Sequence, residues 1–128
     1  MQLLELFRLF GVSDHPLAIL IPSEKNIEAD KQSRRTNIDT EWKLNQWAYE
    51  KIEKTFGRAN IDLFASRINS KCDTYCSWHR DSEAVAIDAL TIDWNDKRFY
   101  AFPPFALIHK VLQKIINDRA VGVVIVPQ

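Results

Sequence analysis

The sequence has little of several features that would assign a function directly. Its 17 Lys and Arg residues are balanced by 17 Asp and Glu residues, so no overall field attracts nucleic acid or an anionic membrane. No apolar run approaches the roughly 18 residues that a membrane span requires. Glu5 and Arg8 interrupt the apolar N-terminus, which excludes a signal-peptide core. We therefore expect a soluble, intracellular protein that makes no membrane contact.

Cysteine is also scarce, which excludes a disulfide framework. Cys72 and Cys76 are separated by three residues rather than by the two of a redox pair, and His79 follows. The three side chains could ligate zinc, but a closed site needs a fourth ligand. The candidates, Asp73 and Asp81, lie in an ordinary polar stretch. We therefore favour two reduced, half-buried thiols in a loop over a metal site.

The apolar residues that are present predict alternating strands and helices. Apolar positions at helical spacing before Gly11 indicate a short first helix, and the unbroken apolar run at 17–22 indicates a buried strand. A second helix, capped by Thr40 and ended by Gly57, presents one apolar stripe. That stripe consists of Leu44, Trp47, Ala48, Ile52 and Phe56. The predicted elements are helix 2–10, strand 17–22, helix 41–56, strand 61–65, strand 98–102, helix 106–118 and strand 120–126.

This order predicts an α/β protein with an open, mainly parallel sheet flanked by helices. A strand, a helix and a strand in succession form a right-handed parallel crossover. The residues that we expect to be buried between the layers are Leu44, Trp47, Ile52, Phe64, Leu107, Val111, Ile115, Val123 and Ile125. The sequence stops two residues after an interior-type strand, so we expect an incomplete sheet that belongs to a fragment, to a degenerate open reading frame or to an arbitrary domain boundary.

A first family resemblance lies in residues 19–35, ILIPSEKNIEADKQSRR, which resemble the end of the ribonuclease H domain of retroelement reverse transcriptases. The matching positions are Ile21, Pro22, Asn26, Ala29, Asp30, Ser33 and Arg34. The resemblance implies that Asp30 stands where one of several carboxylates holds divalent metal in an intact ribonuclease H domain. Asp30 is alone in this chain, so we interpret it as a vestigial metal position and expect magnesium only in an intact domain.

A second resemblance covers residues 41–128. This region is similar to the module that follows ribonuclease H in DIRS-type and related tyrosine-recombinase retroelements, and through it to phage adenine methyltransferases of the Dam type. The matching pieces are Asp62 with Leu63 to Ser66, Asn69 with Lys71 and Cys72, Asp88 to Trp94, and Pro103 with Pro104. The resemblance implies an incomplete Rossmann-like methyltransferase fold. We accordingly divide the chain into a ribonuclease H-like tail and connector, 1–38, and a truncated Dam-like module, 39–128.

The resemblance also implies where a methyltransferase site would lie. Its catalytic motif corresponds to Phe102-Pro103-Pro104-Phe105, in which the aromatic Phe105 could stack on a base. In that enzyme class the first position accepts a hydrogen bond from the target amino group, and Phe102 has no side-chain acceptor. The candidate cofactor-binding residues and pocket lining are Asp62, Phe64 and Asp88, together with Pro103 and Phe105. The resemblance implies a glycine-containing turn after the first strand of the module or, in the phage-type members, an Asp-containing turn. No glycine follows Leu63 in that turn, so we expect no cofactor, or S-adenosylmethionine if the module is an active methyltransferase.

The sequence therefore predicts a non-catalytic Dam-like module of a retroelement polyprotein, whose partner is nucleic acid, either DNA or an RNA–DNA hybrid. One alternative is an active DNA adenine methyltransferase that uses S-adenosylmethionine, and another is a nucleic-acid-binding or scaffolding module. Two features bear on the last alternative. Of the four tryptophans, we assign Trp47 and Trp94 to the core, so at most Trp42 and Trp78 are free to stack on bases, and we favour core packing for the set. The candidate phosphate contacts are Lys97, Arg98, Lys110, Lys114 and Arg119.

Overall fold

The computed structural model describes residues 7–12, 17–22, 27–29, 42–66, 69–78 and 80–126. The strands are β1 (Phe7–Val12), β2 (Leu17–Pro22), β3 (Ile27–Ala29), β4 (Trp42–Leu44), β5 (Ile61–Asp62), β6 (Cys76–Ser77), β7 (Ala86–Ile87), β8 (Arg98–Ala101) and β9 (Val121–Ile125). The helices are α1 (Gln46–Phe56) and α2 (Ile108–Asp118), with short 3₁₀ turns at Ala89–Thr91 and Phe105–Leu107.

The central sheet has the strand order β1-β2-β9-β8-β5. Strands β2, β9, β8 and β5 are parallel to one another, and β1 pairs antiparallel with β2 at one edge. Helix α2 connects β8 to β9, which confirms the predicted parallel crossover. The prediction of an α/β fold with a mainly parallel sheet is therefore confirmed, and the strand beside β9 is supplied by residues 17–22, upstream of the module.

The small β6–β7 pair lies next to β5 and extends the central sheet at that edge. Asp62 forms a parallel bridge with Tyr75, and the Ala65 N–H donates to the Cys76 carbonyl at 3.0 Å. Backbone groups of successive residues in a strand point to opposite sides. Asp62 donates its N–H to Thr74 whereas Leu63 donates to Tyr100 of β8, so β6 and β8 lie on opposite sides of β5.

In the described part of the chain, α1 packs on one face of the central sheet and α2 packs on the other. Because side chains alternate along the strands, each face has its own hydrophobic cluster. One cluster packs beneath α1 and consists of Leu20, Leu44, Ala48, Tyr49, Ile52, Tyr100, Val123 and Ile125. The other packs beneath α2 and includes Ile61, Leu63, Cys76, Trp94, Phe99, Ala101, Val111, Ile115 and Val124. Most of the predicted core is thus confirmed, although Phe64 and Leu107 are only partly buried.

The N-terminal helix predicted at 2–10 is wrong for its described part, since residues 7–12 form β1; residues 2–6 lie outside the described part. Strand β1 has a partner in β2 across a register that runs from Phe7 opposite Pro22 to Val12 opposite Ala18. A short apolar helix is only marginally stable by itself, so backbone pairing with a neighbouring strand overrides its helical pattern.

The helix predicted at 41–56 begins later than expected and is oriented differently. Its cap is Asn45, whose side chain accepts the Trp47 N–H at 3.2 Å, and residues 42–44 instead pair with β3. Thr40 lies outside the described residues. The prediction that Trp47 is buried is wrong, because its side chain is 45% exposed. The buried face passes through Ala48, Tyr49 and Ile52, and Trp47 lies roughly 100° around the helix from Ala48.

Strand β5 is shorter than the predicted 61–65, since only Ile61 and Asp62 pair as strand. The Asp62 side chain accepts the backbone N–H groups of Phe64 and Lys71, and the chain bends at Leu63 and Phe64. Strand β8 ends one residue early, α2 begins at Ile108 rather than at 106, and β9 spans 121–125.

Candidate functional site at the carboxyl ends of the strands

In an open parallel sheet, ligands bind where the strands end at their carboxyl termini. Here β5 ends at Asp62 and β8 ends at Ala101, directly before the Phe102–Phe105 segment. Strand β6 ends at Ser77, directly before Trp78. The predicted site residues that follow β5 and β8 are therefore brought to the same edge of the molecule, which we call the carboxyl edge.

Asp62 is buried at this edge, with 2% of its surface exposed. Its Oδ1 accepts the Phe64 N–H at 3.3 Å, and its Oδ2 accepts the Lys71 N–H at 2.9 Å. Burial raises the pKa of the carboxyl to about 7, against the lowering effect of these two hydrogen bonds and of the Lys71 charge. The carboxylate thus fastens the turn after β5 to the chain nine residues later, and both of its oxygens are engaged.

Two tyrosines and a thiol on the α1 side of the sheet lie close enough to Asp62 for its charge to affect their pKa values. The Tyr49 and Tyr100 rings meet edge to face with centroids 5.0 Å apart, and the Tyr49 hydroxyl lies 3.7 Å from Cys72 Sγ. Burial raises the pKa of both tyrosines and raises that of Cys72 to about 11. These groups are therefore protonated at neutral pH, and Cys72 supplies no thiolate nucleophile.

Lys71 joins this cluster to the start of α1. Its Nζ donates to Gln46 Oε1 at 3.1 Å and lies 5.9 Å from the centroid of the Tyr49 ring. Helix α1 is therefore held against the turn that Asp62 organises. Sequence reasoning matched Lys71 and Cys72 to the family pattern but missed Tyr49 and Tyr100, because no signal links a helix position to a strand position fifty residues away.

The Phe102–Phe105 segment crosses the carboxyl edge from one face of the sheet to the other. Phe102 is partly buried and packs against the cluster beneath α1, and Pro103 is buried. Pro104 is exposed, and its carbonyl accepts the Leu107 N–H at 2.9 Å. The Phe105 side chain is 77% exposed at the entrance to α2. Phe102 therefore packs against the core, whereas Phe105 faces solvent.

Asp88 lies farther along the same edge, after β7, and has a positive φ of 65°. Its N–H donates to the Ser77 carbonyl at 2.8 Å, and its Oδ1 accepts the Leu90 N–H at 3.0 Å. It therefore caps the 3₁₀ turn that leads to Trp94. The predicted pocket lining is thus spread over β5, β8 and β7, and Asp62 and Asp88 are separated by β6.

Trp94 and Asp118 form a second arrangement that sequence reasoning did not detect. Trp94 is fully buried, which confirms its assignment to the core, and its Nε1 donates to the Ala89 carbonyl at 2.9 Å. Asp118 Oδ2 accepts the Trp94 backbone N–H at 3.0 Å and pairs with Lys114 at 2.7 Å. The Lys114 hydrogen bond lowers the pKa of this carboxyl against the opposing effect of burial. These contacts hold the loop that contains Trp94 against α2 and stabilise the fold.

The predicted basic face is partly neutralised in the structure. Lys97 pairs with Asp96 at 2.8 Å, Lys114 pairs with Asp118, and Arg98 donates to the Phe56 carbonyl at 3.2 Å. Lys110 is exposed and lines a shallow groove along α2, with a volume of about 240 Å³. These five cations therefore do not form one continuous phosphate-binding surface.

Candidate metal ligands lie both inside and outside the described ranges. Asp30 and His79 lie outside the described residues, as does the side chain of Trp42. Within the described ranges, no three His, Cys, Asp or Glu side chains are grouped to hold a metal ion. Both cysteines are free thiols; Cys72 is half-buried in a loop, as predicted, whereas Cys76 is fully buried in β6. No described helix has the length and apolar character to cross a membrane.

Comparison with known proteins gives one family. The sequence model of DNA N-6-adenine-methyltransferase (Dam) matches residues 31–126, which include α1, β5, β8, α2 and β9. No curated protein and no solved structure matches the chain. The match covers the carboxyl edge and both helices that flank it, and the chain belongs to the DNA N-6-adenine-methyltransferase family.

Proposed function

We propose that this chain is a non-catalytic member of the Dam family that binds nucleic acid as part of an intracellular retroelement polyprotein. The observation that carries the loss of catalysis is the packing of Phe102. The resemblance places the acceptor for the target amino group at this position, and a phenylalanine has no side-chain acceptor. Phe102 is instead partly buried against the α1 cluster, so its side chain contributes to packing.

The residues at the carboxyl edge also do not fit S-adenosylmethionine. Asp62 is the carboxylate that would meet the amine of the cofactor, and both of its oxygens already accept backbone N–H groups beneath the turn. The chain has three glycines, at 11, 57 and 122, so the turn after β5 contains none. We therefore propose that the chain binds no cofactor.

The experiment is a calorimetric titration of the full chain with S-adenosylmethionine, together with a methyl-transfer assay on adenine-containing DNA. We expect neither heat of binding nor transfer. Micromolar binding that is lost in Asp62→Ala would instead favour the second candidate, an active adenine methyltransferase. That candidate is supported by the family match itself, since the matched family consists of DNA adenine methyltransferases.

The retroelement assignment rests on residues 19–35 and on the order of the two resembling segments. We assign residues 1–38 to a ribonuclease H-like tail and connector and residues 39–128 to the methyltransferase-like module. Hydrogen-bonded pairing of β2 with β9 joins the two parts in one sheet. The genomic flanks test this origin, because we expect reverse transcriptase upstream and a tyrosine recombinase downstream.

The ribonuclease H part of the proposal has its own test. The purified chain should not cleave an RNA–DNA hybrid with magnesium or manganese, because Asp30 is a lone member of a site that needs several carboxylates. Metal-dependent cleavage that disappears in Asp30→Asn would overturn this assignment.

A further inference from the structure

Strand β7 is an edge strand in the described part of the chain, because it pairs with β6 on one side and with no described strand on the other. The Val85 N–H donates to the Tyr75 carbonyl at 2.9 Å, so the backbone groups of Val85 point towards β6. The backbone groups of Ala86, the next residue, therefore point to the opposite, open side. A further strand can pair with Ala86 there. We call residues 85–87 the β7 edge.

Two apolar side chains are exposed on one face of the β7 edge. Side chains alternate between the two faces of a strand, and Ala86 packs against the cluster beneath α2. Val85 and Ile87 therefore share the opposite face, where they are 59% and 50% exposed. Exposed β-branched residues on an unpaired edge strand are typical of a surface that pairs with another strand.

The chain around the β7 edge has charge of one sign. Glu83, two residues before Val85, is exposed, and no described cation forms an ion pair with it. Asp88 directly follows Ile87. Residues 81–96 as a whole contain neither Lys nor Arg, and their carboxylates are those of Asp81, Glu83, Asp88, Asp93 and Asp96. A strand that pairs with the β7 edge should therefore carry Lys or Arg on both sides of an apolar middle.

Charge makes a second copy of this chain a poorer occupant. Two β7 edges related by a two-fold axis perpendicular to the sheet would pair antiparallel about Ala86. Glu83 of each copy would then lie beside Asp88 of the other copy. Like charges at neighbouring positions of paired strands are destabilising, so the acidic segments of the two copies would repel each other.

We propose that the β7 edge binds an extended peptide segment, apolar at alternating middle positions and basic at both ends, by adding it to the sheet as a further strand. The backbone of the peptide exchanges hydrogen bonds with Ala86, its apolar side chains cover Val85 and Ile87, and its cations face the carboxylates. In this mode of binding, main-chain pairing gives affinity and side chains give selectivity. The inference adds a protein partner and does not depend on the proposed nucleic-acid function.

The experiment measures fluorescence anisotropy of a labelled synthetic peptide, KKVTVTVKK, with the full chain. We expect saturable binding. A peptide with glutamate in place of every lysine should not bind, because its charge repels the acidic segment. A peptide with proline in place of the central valine should bind more weakly, since proline has no backbone N–H to pair. The peptide KKGSGSGKK, which has the same charge but no apolar residues, should not bind.

Variants of the chain test which side chains take part. Val85→Thr combined with Ile87→Thr removes apolar surface but keeps β-branched residues, and should weaken binding roughly 3- to 30-fold because two cross-strand contacts are lost. Its matched control is Ile116→Thr, since Ile116 is 75% exposed but lies on α2, and this variant should bind like the wild type. Glu83→Gln should weaken binding roughly 2- to 5-fold at low salt. Glu50→Gln, at an exposed position of α1, should leave binding unchanged.

Hydrogen exchange distinguishes strand addition from electrostatic attraction alone. Bound KKVTVTVKK should slow the exchange of the Ala86 N–H with solvent deuterium, because that group becomes hydrogen-bonded. Absence of peptide binding, equal binding of KKGSGSGKK, wild-type affinity of the double threonine variant or unchanged exchange at Ala86 would each refute the proposal. Dimerisation of the wild type that the double threonine variant lacks would also refute it, in favour of a second copy at the β7 edge.

Discussion

The most informative perturbation is Asp62→Asn, because it removes a buried ionisable group at almost constant volume. In the folded chain the pKa of this carboxyl is about 7, against an ordinary value of 3.8, and burial is the main cause. The folded state therefore retains a proton that the unfolded state releases between these two values. Stability contributed by the protonated carboxyl is present below about pH 4 and is lost as the pH rises to about 7.

The size of this effect follows from the shift. Each pH unit in the window changes the free energy of unfolding by about 1.4 kcal/mol, so the complete loss is about 4 kcal/mol. Above pH 7 the contribution is constant, because the carboxyl is ionised in both states. Asparagine cannot titrate, but its amide nitrogen cannot accept one of the two N–H groups that Asp62 accepts. The lost hydrogen bond should cost the variant roughly 1–3 kcal/mol independently of pH, and this cost adds to the pH-dependent difference between the two chains.

The assay is urea unfolding of the wild type and of Asp62→Asn at several pH values between 4.5 and 8. The difference between the two free energies cancels the titration of groups that the chains share. We expect the stability advantage of the wild type to shrink by roughly 3–4 kcal/mol across this range, and to vanish or reverse at pH 8. Parallel pH profiles would refute the reasoning, since they would mean that Asp62 ionises alike in the folded and unfolded chain.

Three further predictions concern packing and thiol chemistry. Trp94→Ala should reduce the free energy of unfolding by about 3–5 kcal/mol, since Trp94 is fully buried against Phe99. Trp47→Ala should reduce it by less than about 1 kcal/mol, because Trp47 is exposed. Equal losses of the two variants in urea unfolding would contradict the assigned core. Gly122→Ala should cost roughly 1–3 kcal/mol because the new methyl group would lie 2.6 Å from Phe99 Cδ1, and an unchanged melting temperature would contradict that contact. Alkylation at pH 7.5 should be slow in the native chain and fast in urea, because burial raises the pKa of Cys72 and Cys76 to about 11; rapid native alkylation would indicate an accessible thiolate.

The parallel core was predictable from sequence because its strands and its helix each have a clear apolar pattern within one short segment of the chain. The residues of β9 are apolar along their length, and α2 carries apolar residues at helical spacing between two such strands. A strand, a helix and a strand in succession almost always form a right-handed parallel crossover, so the sequence predicts the connection between β8 and β9. The N-terminal segment was not predictable in this way. Its apolar residues fit a helix, and the choice of a strand depends on β2 lying beside it.

The error at Trp47 has a similar cause. The predicted stripe through Leu44 and Trp47 requires a helix that begins at residue 41, but Leu44 lies in β4 and is buried from there. Once Asn45 caps the helix, the register of its buried face is set by Ala48 and Tyr49. Tyr49 then reaches Tyr100 and Cys72, contacts between distant parts of the chain that local spacing does not contain.

At the carboxyl edge, sequence reasoning located the motif positions but not what their side chains do. Asp62 holds the turn after β5 through two backbone N–H groups, and Asp88 caps the 3₁₀ turn before Trp94. Phe102 packs beneath α1. Each of these positions contributes to stability through contacts that require no bound cofactor. These side chains therefore hold the carboxyl edge together by contacts within the chain itself, whether or not a ligand is bound there.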